Sequence, residues 1–183
     1  MRTLTIALVA TALATAGALA PGPASAMGTG DQYEDLQVGV TYTVYEPGYV
    51  AGLALDGDIG SPCPAGEDEN VHASYGTFGA TYLTIDEGRP ICVETLGDGK
   101  IVSRVRIQGR RAAVEVFCDY SNAAQWRACS PADIARYGGA ISLTLPGAAG
   151  LRSTAVRLVT DGKKPLTYAQ LLRVARNLQP TGG

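Results

Sequence analysis

Residues Ile101–Cys118 read IVSRVRIQGRRAAVEVFC and give the clearest indication of the fold class. Apolar and polar side chains alternate through Ile101–Gln108 and again through Arg111–Cys118, a pattern typical of β-strands that bury one face. Gly109-Arg110 separates the two runs and predicts a tight turn, so the strands should pair as a hairpin. We therefore expect an antiparallel sheet.

Further strands are predicted on both sides of this hairpin, because alternating runs recur between Gly- and Pro-containing turn signals. These runs are Val38–Glu46, Ala80–Asp86, Pro90–Leu96, Ala140–Leu145 and Ser153–Thr160. Gly48–Gly79 shows no such pattern and is predicted to be a long loop. With the turn at Gly109-Arg110, Glu115 stands opposite Arg104, which predicts an exposed cross-strand ion pair.

Two helices are predicted in the C-terminal half. Ser130, Pro131 and Asp133 suit the N-cap, first and third positions of a short helix. Thr167 and Gln170 form the capping box of a second helix. An apolar stripe with helical spacing follows, and we expect it to pack on the sheet: Leu171, Val174, Ala175 and Leu178. The predicted fold class is α+β, a twisted antiparallel sheet of about six strands with this amphipathic helix on one face, one short helix and two disulfides.

The chain has 183 residues, of which 46% are hydrophobic and 17% charged. This composition excludes a disordered tail, and the length suits one globular domain. We assign that domain to residues 38–179, with a flexible segment at 27–37 before it and a tail at 180–183. The formal net charge of -2 provides no basic field for nucleic acid or for an anionic membrane surface.

Residues 1–26 have the three parts of a secretory signal peptide. Arg2 supplies the positive charge, an apolar run follows, and Ala24-Ser25-Ala26 matches the small residues of a cleavage site. The run is rich in Ala, Thr and Gly and is closed by prolines, which favours a signal peptide over a membrane anchor. We expect a secreted, extracellular protein without stable membrane insertion.

The four cysteines, Cys63, Cys92, Cys118 and Cys129, predict two disulfides in an exported chain. Cys92 and Cys118 would lie on strands separated by a third strand, about 10 Å apart, whereas disulfide Cα atoms normally lie within about 7 Å. Two pairings remain after this exclusion. We favour Cys63–Cys92 with Cys118–Cys129 over Cys63–Cys118 with Cys92–Cys129, because the Cys118–Cys129 bridge closes a short loop.

The predicted long loop carries acidic residues at a spacing that partly matches a calcium-binding loop. Asp56 and Asp58 begin the match, and Glu67 falls at its twelfth position. The EF-hand pattern fails, because Ser61 stands where a glycine is needed and Gly60 where an Asp or Asn ligand is needed. A solvated acidic loop is the favoured interpretation, with an irregular calcium site as the alternative, and no metal or other cofactor is predicted.

His72 is the only histidine of the chain. Ser74 is close to it in sequence, but the chain has no Gly-x-Ser-x-Gly motif, and neighbours on one extended segment do not by themselves form a catalytic triad. We therefore interpret His72 as an ordinary surface histidine and name no catalytic residue. Together with Asp56, Asp58 and Glu67, it is a candidate ligand-binding residue.

The segment between Cys118 and Cys129 is a second candidate binding site. As an exposed loop held by a disulfide, it would present Trp126 or Arg127 to the pocket of a protease. The competing interpretation is a clamped turn in which Trp126 covers the core.

From Val38 onward, the chain resembles uncharacterised small secreted proteins of actinobacteria. The likeness rests on the acidic Pro/Gly loop around Cys63, on Cys118-Asp119, on Asp133–Gly139 and on Leu166–Leu178. The terminal strand, turn and amphipathic helix also look like the ending of extracytoplasmic sensor-type modules of unknown function. The resemblance implies an α+β module that binds a ligand, and it carries over no functional residue.

The leading functional hypothesis is a secreted, non-enzymatic binding or surface-interaction protein. Its partner would be a protein, a peptide or a small molecule, and not a nucleic acid. A secreted protease inhibitor that presents the Cys118–Cys129 loop and a small secreted hydrolase are the alternatives. The hydrolase alternative has no sequence motif to support it.

Overall fold

The computed structural model describes residues 32–57, 59–60, 70–88 and 99–181. The strands in these ranges are β1 (Tyr45–Pro47), β2 (Asn70–Gly76), β3 (Tyr82–Gly88), β4 (Lys100–Ile107), β5 (Arg110–Val116), β6 (Gly139–Leu145), β7 (Thr154–Asp161) and β8 (Leu178–Pro180). The helices are α1 (Gln32–Gln37), α2 (Ala123–Ala128), α3 (Ile134–Tyr137) and α4 (Tyr168–Arg176), and a 3₁₀ turn at Pro131–Asp133 leads into α3.

Six of these strands form one antiparallel sheet in the order β2-β3-β7-β6-β5-β4, and β1 pairs with β8 in a separate two-stranded sheet. The predicted α+β class and the six-stranded antiparallel sheet are confirmed. One face of the large sheet forms the hydrophobic core, where alternate residues such as Leu83, Ile85 and Leu158 are almost fully buried. The other face carries polar side chains.

Helix α4 begins where the sequence predicts it. The Thr167 hydroxyl accepts a hydrogen bond from the backbone N–H of Gln170, and the Gln170 side chain accepts one from the backbone N–H of Thr167. The helix contacts β6 and β7, and its buried residues are Leu171, Val174 and Ala175. It ends at Arg176, so Leu178, which the prediction included in the helical stripe, is a buried residue of β8.

The turn of the β4–β5 hairpin lies one residue earlier than predicted. Gln108 and Gly109, rather than Gly109-Arg110, occupy the two central positions, with φ of 47° and 76°. Two-residue hairpin turns of this kind need positive φ at both positions, which glycine adopts without strain. This shift changes which side chains face each other across the hairpin.

The predicted ion pair between Arg104 and Glu115 is wrong. The shifted turn places Arg104 opposite Ala113, and a β-bulge near the start of β4 alters the register again before Glu115. Glu115 instead forms an ion pair with Arg157 of β7, at 3.0 Å between Oε2 and Nη2. The carboxylate thus pairs across the sheet rather than within the hairpin.

The N-terminal part departs most from the predictions. The expected strand Val38–Glu46 is wrong over most of its length, because only β1 is a strand and Tyr42–Tyr45 are all buried. Helix α1 lies within the segment expected to be flexible, and its buried Tyr33 hydroxyl lies 2.6 Å from that of Tyr75. The expected loop Gly48–Gly79 contains β2, and the expected C-terminal tail contains the end of β8.

Cys118 and Cys129 form the predicted disulfide, with Cα atoms 6.3 Å apart. Cys63 and Cys92 lie outside the described residues, as does the predicted strand Pro90–Leu96, so their pairing stays a prediction. Ser130 and Asp133 form a capping box, as expected for the short helix. Within the described ranges, none of the helices has the length and apolar character needed to cross a membrane.

Candidate functional site

One transverse row of residues, which we call the polar row, crosses all six strands on the face opposite the core. Register pairs place its members side by side from β4 to β2: Arg104, Ala113, Ser142, Arg157, Asp86 and His72. The row draws on positions from 72 to 157 of the sequence, and the strand pairing of the sheet makes its members neighbours. The two ends of the row differ in chemistry.

At the β2 end, His72 lies in a chain of short hydrogen bonds. Its Nδ1 lies 2.6 Å from Oδ1 of Asp86, and its Nε2 lies 2.9 Å from Oγ of Ser74. The hydroxyl of Tyr82 donates to Ser74 Oγ at 2.7 Å. The side chain of Asp86 is 5% exposed and that of His72 is 26% exposed, so the chain runs from a buried carboxyl group towards solvent.

The hydrogen bonds of this chain have a consistent direction. Because Ser74 Oγ accepts from Tyr82, its own proton can be donated to Nε2 of His72. A neutral His72 then carries its proton on Nδ1 and donates it to Asp86. Carboxylate, imidazole and hydroxyl thus follow one another in the order that activates serine nucleophiles.

Strand β2 and its register with β3 create this arrangement. Val71, Ala73 and Tyr75 are buried on the core side, so the alternate positions His72 and Ser74 share the polar face. His72 pairs directly with Asp86 in the β2–β3 register. This segment falls within the predicted loop Gly48–Gly79, although the alternation in Val71–Tyr75 is itself a strand signal that could have revealed it.

At the β4 end, the polar row opens into a groove of about 520 Å³, which we call the arginine groove. Small side chains, Ala113, Ser142 and Ala155, line part of it and leave room above the sheet. Arg104 and Arg111 also line it, and both are exposed. Neither arginine has a carboxylate partner among the residues that the structure describes.

Arg157 lies between the arginine groove and the His72 chain and is held in place from two sides. Its guanidinium donates to both carboxylate oxygens of Glu115, at 3.0 and 3.3 Å, and to the Ser142 hydroxyl at 3.1 Å. These bonds fix the planar group against the groove wall. One of the three groove arginines is therefore neutralised and ordered, whereas the other two extend into solvent.

Glu87, the neighbour of Asp86, points to the core side of β3 and is fully buried. Its Oε2 accepts from the backbone N–H of Tyr45 at 2.9 Å, while Oε1 has no partner in the described part of the chain. Burial raises the pKa of this carboxyl group well above its ordinary value, the Tyr45 N–H acts in the opposite direction, and the Asp86 charge raises the pKa further. The raised pKa favours the neutral form of the carboxyl group, which needs no counter-ion.

Among the described residues, the predicted binding residues Trp126 and Arg127 do not lie near His72. Asp56 is exposed, and Asp58 and Glu67 lie outside the described residues. Trp126 and Arg127 lie on α2, where Lys100 of β4 donates to both of their backbone carbonyls. They are therefore near the edge of the sheet opposite to His72, roughly 24 Å away across five strand spacings.

The described residues contain no group of three or more His, Cys, Asp or Glu side chains arranged to hold a metal ion. Comparison with known proteins finds no matching family model, no matching curated protein and no matching solved structure. Any functional inference therefore starts from the two ends of the polar row.

Proposed function

We propose that this chain is an exported binding protein that holds a small anionic ligand in the arginine groove. The observation that carries the proposal is the grouping of Arg104, Arg111 and Arg157 around a depression with a floor of small side chains. Its volume of about 520 Å³ falls in the range of small-molecule sites.

Charge argues for an anion as the ligand. The whole chain has a formal net charge of -2, so three arginines around one groove are not a consequence of a generally basic surface. Guanidinium groups bind carboxylates and phosphates through two parallel hydrogen bonds, which gives orientation as well as attraction. Arg157 is already paired with Glu115, so Arg104 and Arg111 are the groups that would contact the ligand.

Export is supported by the signal peptide predicted at residues 1–26 and by the Cys118–Cys129 disulfide. Disulfides of this kind persist in oxidising compartments outside the cytosol. We propose that the mature chain begins at Met27 and acts outside the cell, which intact-mass measurement of the protein in culture supernatant checks.

The experiment measures binding of citrate and of inorganic phosphate by calorimetry at low ionic strength. Arg104→Gln should weaken binding of the bound probe by about tenfold or more, since a charge-assisted hydrogen bond contributes about 1.5–3 kcal/mol. Arg176→Gln on α4 is the matched control, because it removes the same charge from an exposed position outside the groove. Equal weakening by both variants, or no binding of either probe, would refute the proposal.

The protease-inhibitor alternative receives no support from the disulfide-closed segment. Trp126 and Arg127 belong to helix α2, whereas peptide segments that are recognised by strand addition are extended. The hydrolase alternative is favoured by one specific observation, the hydrogen-bonded Asp86–His72–Ser74 chain. Its test is covalent labelling of the serine.

A further inference from the structure

We propose that Ser74 is an activated nucleophile that accepts acyl groups from carboxylic esters, with His72 as its general base and Asp86 as the group that orients His72. This activity goes beyond the proposed anion binding and does not depend on it. Both sites lie along the polar row, but no side chain belongs to both of them.

The geometry at Ser74 meets two requirements of nucleophilic catalysis, a base beside the hydroxyl and a group that orients the base. A base lies within hydrogen-bonding distance of the hydroxyl, at 2.9 Å, and a carboxyl group fixes that base from its other nitrogen, at 2.6 Å. Asp86 is held on a central strand of the sheet, between β2 and β7, so its position is rigid. Asp86 therefore acts as a positioning residue.

The site also reaches the surface. Ser74 retains 9% of its exposure, and the side chain of His72 retains 26%. The adjoining β2–β3 turn carries Phe78, whose exposed ring packs edge-on against Tyr82. An aromatic surface beside the hydroxyl group suits an ester with an apolar acyl or alcohol part.

The reaction balances with water as the second reactant. Ser74 Oγ forms a bond to the ester carbonyl carbon while its proton moves to Nε2 of His72. The bond from that carbon to the alcohol oxygen then breaks, and the alcohol leaves with the proton from His72. Water, deprotonated by His72, attacks the acyl-serine, releases the carboxylic acid and restores the Ser74 hydroxyl.

Tyr82 has a separate role in the tetrahedral intermediate. Its hydroxyl donates to Ser74 Oγ at 2.7 Å in the resting protein, so this donor lies beside the atom that attacks the carbonyl carbon. When Oγ forms its new bond, Tyr82 transfers its hydrogen bond to this oxyanion. Tyrosine hydroxyls are among the side-chain donors that stabilise such oxyanions.

The experiment treats the full mature chain with a fluorophosphonate probe and locates the adduct by intact mass and peptide mapping. One adduct is expected, on Ser74, together with a burst of p-nitrophenol from p-nitrophenyl acetate. His72→Gln and Asp86→Asn should each slow labelling by about 100-fold or more. Tyr82→Phe should slow turnover of the ester while leaving the Ser74 peptide the only labelled one.

Ser121 is the matched control, because its exposed hydroxyl also contacts a carboxylate, Asp119, at 2.6 Å but has no histidine beside it. Ser121→Ala should label as fast as the natural chain. A natural chain that stays unmodified after prolonged incubation, or labelling of Ser121 instead of Ser74, would overturn the proposal without any need for a folded Ser74 variant. Labelling that survives Arg104→Gln would separate this activity from anion binding.

Discussion

Replacing Glu87 by glutamine should abolish a loss of stability that the natural chain undergoes as the pH rises above about 4.5. Glu87 is fully buried, and burial raises the pKa of its carboxyl group well above the ordinary value of 4.5. Glutamine has the shape of the protonated carboxyl, and its amide oxygen can still accept from the backbone N–H of Tyr45. The substitution removes the ionisation. The amide nitrogen takes the place of Oε1, which has no partner among the described residues, and the cost of burying its N–H groups is the same at every pH.

The magnitude follows from proton linkage. Below pH 4.5 the carboxyl is protonated in the folded and the unfolded chain, and its stabilising contribution is complete. Above this pH the unfolded chain releases a proton that the folded chain retains, so the free energy of unfolding falls by about 1.4 kcal/mol per pH unit until the folded pKa is passed. The difference between the natural chain and the variant therefore widens at this slope as the pH rises from 4.5 towards the raised pKa of Glu87.

Urea unfolding of the natural chain and of Glu87→Gln, measured from pH 4 to pH 8, checks this reasoning. The two free energies of unfolding should differ by a constant amount near pH 4 and diverge in favour of the variant as the pH rises. Glu34→Gln, at an exposed position of α1, controls for the change in net charge. Parallel curves for the natural chain and Glu87→Gln would show that Glu87 is ionised in the folded protein and would refute the reasoning.

Substitutions in α4 and at the disulfide test the packing of the fold. Leu171→Ala should lower the free energy of unfolding by about 2–5 kcal/mol, because the side chain is fully buried. Thr167→Ala should lower it by only about 0.5–2 kcal/mol through the lost cap, and the reverse order in denaturant melts would contradict the packing of α4. Replacing Cys118 and Cys129 together by alanine should cost about 2–4 kcal/mol, because their bridge closes a loop across 11 positions of the chain; an unchanged melting midpoint would contradict this.

Local signals predicted the elements whose own residues determine them. The capping box of Thr167 and Gln170, the start of the short helix at Ser130 and the alternation of β5 each depend on contacts within a few positions. The hairpin register did not follow in the same way. It depends on which two residues take positive φ. Gly109 belongs to the turn in either register, and the residue that joins it is Gln108 rather than Arg110.

The candidate site was harder to predict, because it exists only after strands have paired. His72 and Asp86 become partners through the β2–β3 register. Arg157 joins them because β7 pairs with β3 as well as with β6, the strand before it in sequence. Nothing within the segment around His72 specifies these neighbours. The burial of Glu87 was equally hard to predict. Its sequence neighbours do not show that α1 and β1 cover the side of the sheet to which its carboxyl points.

The pairing of β1 with β8 has a consequence for the order in which the chain folds. The backbone N–H of Thr181 donates to Val44, 137 positions earlier, at 3.0 Å. A chain that emerges N-terminus first from a ribosome or a membrane pore cannot form this contact until its last strand has appeared. The large sheet has its six strands by Asp161, so the β1–β8 pair is the last strand pairing of the described residues to form. Shortening the C-terminus by a few residues would therefore loosen the N-terminal segment, at the opposite end of the sequence.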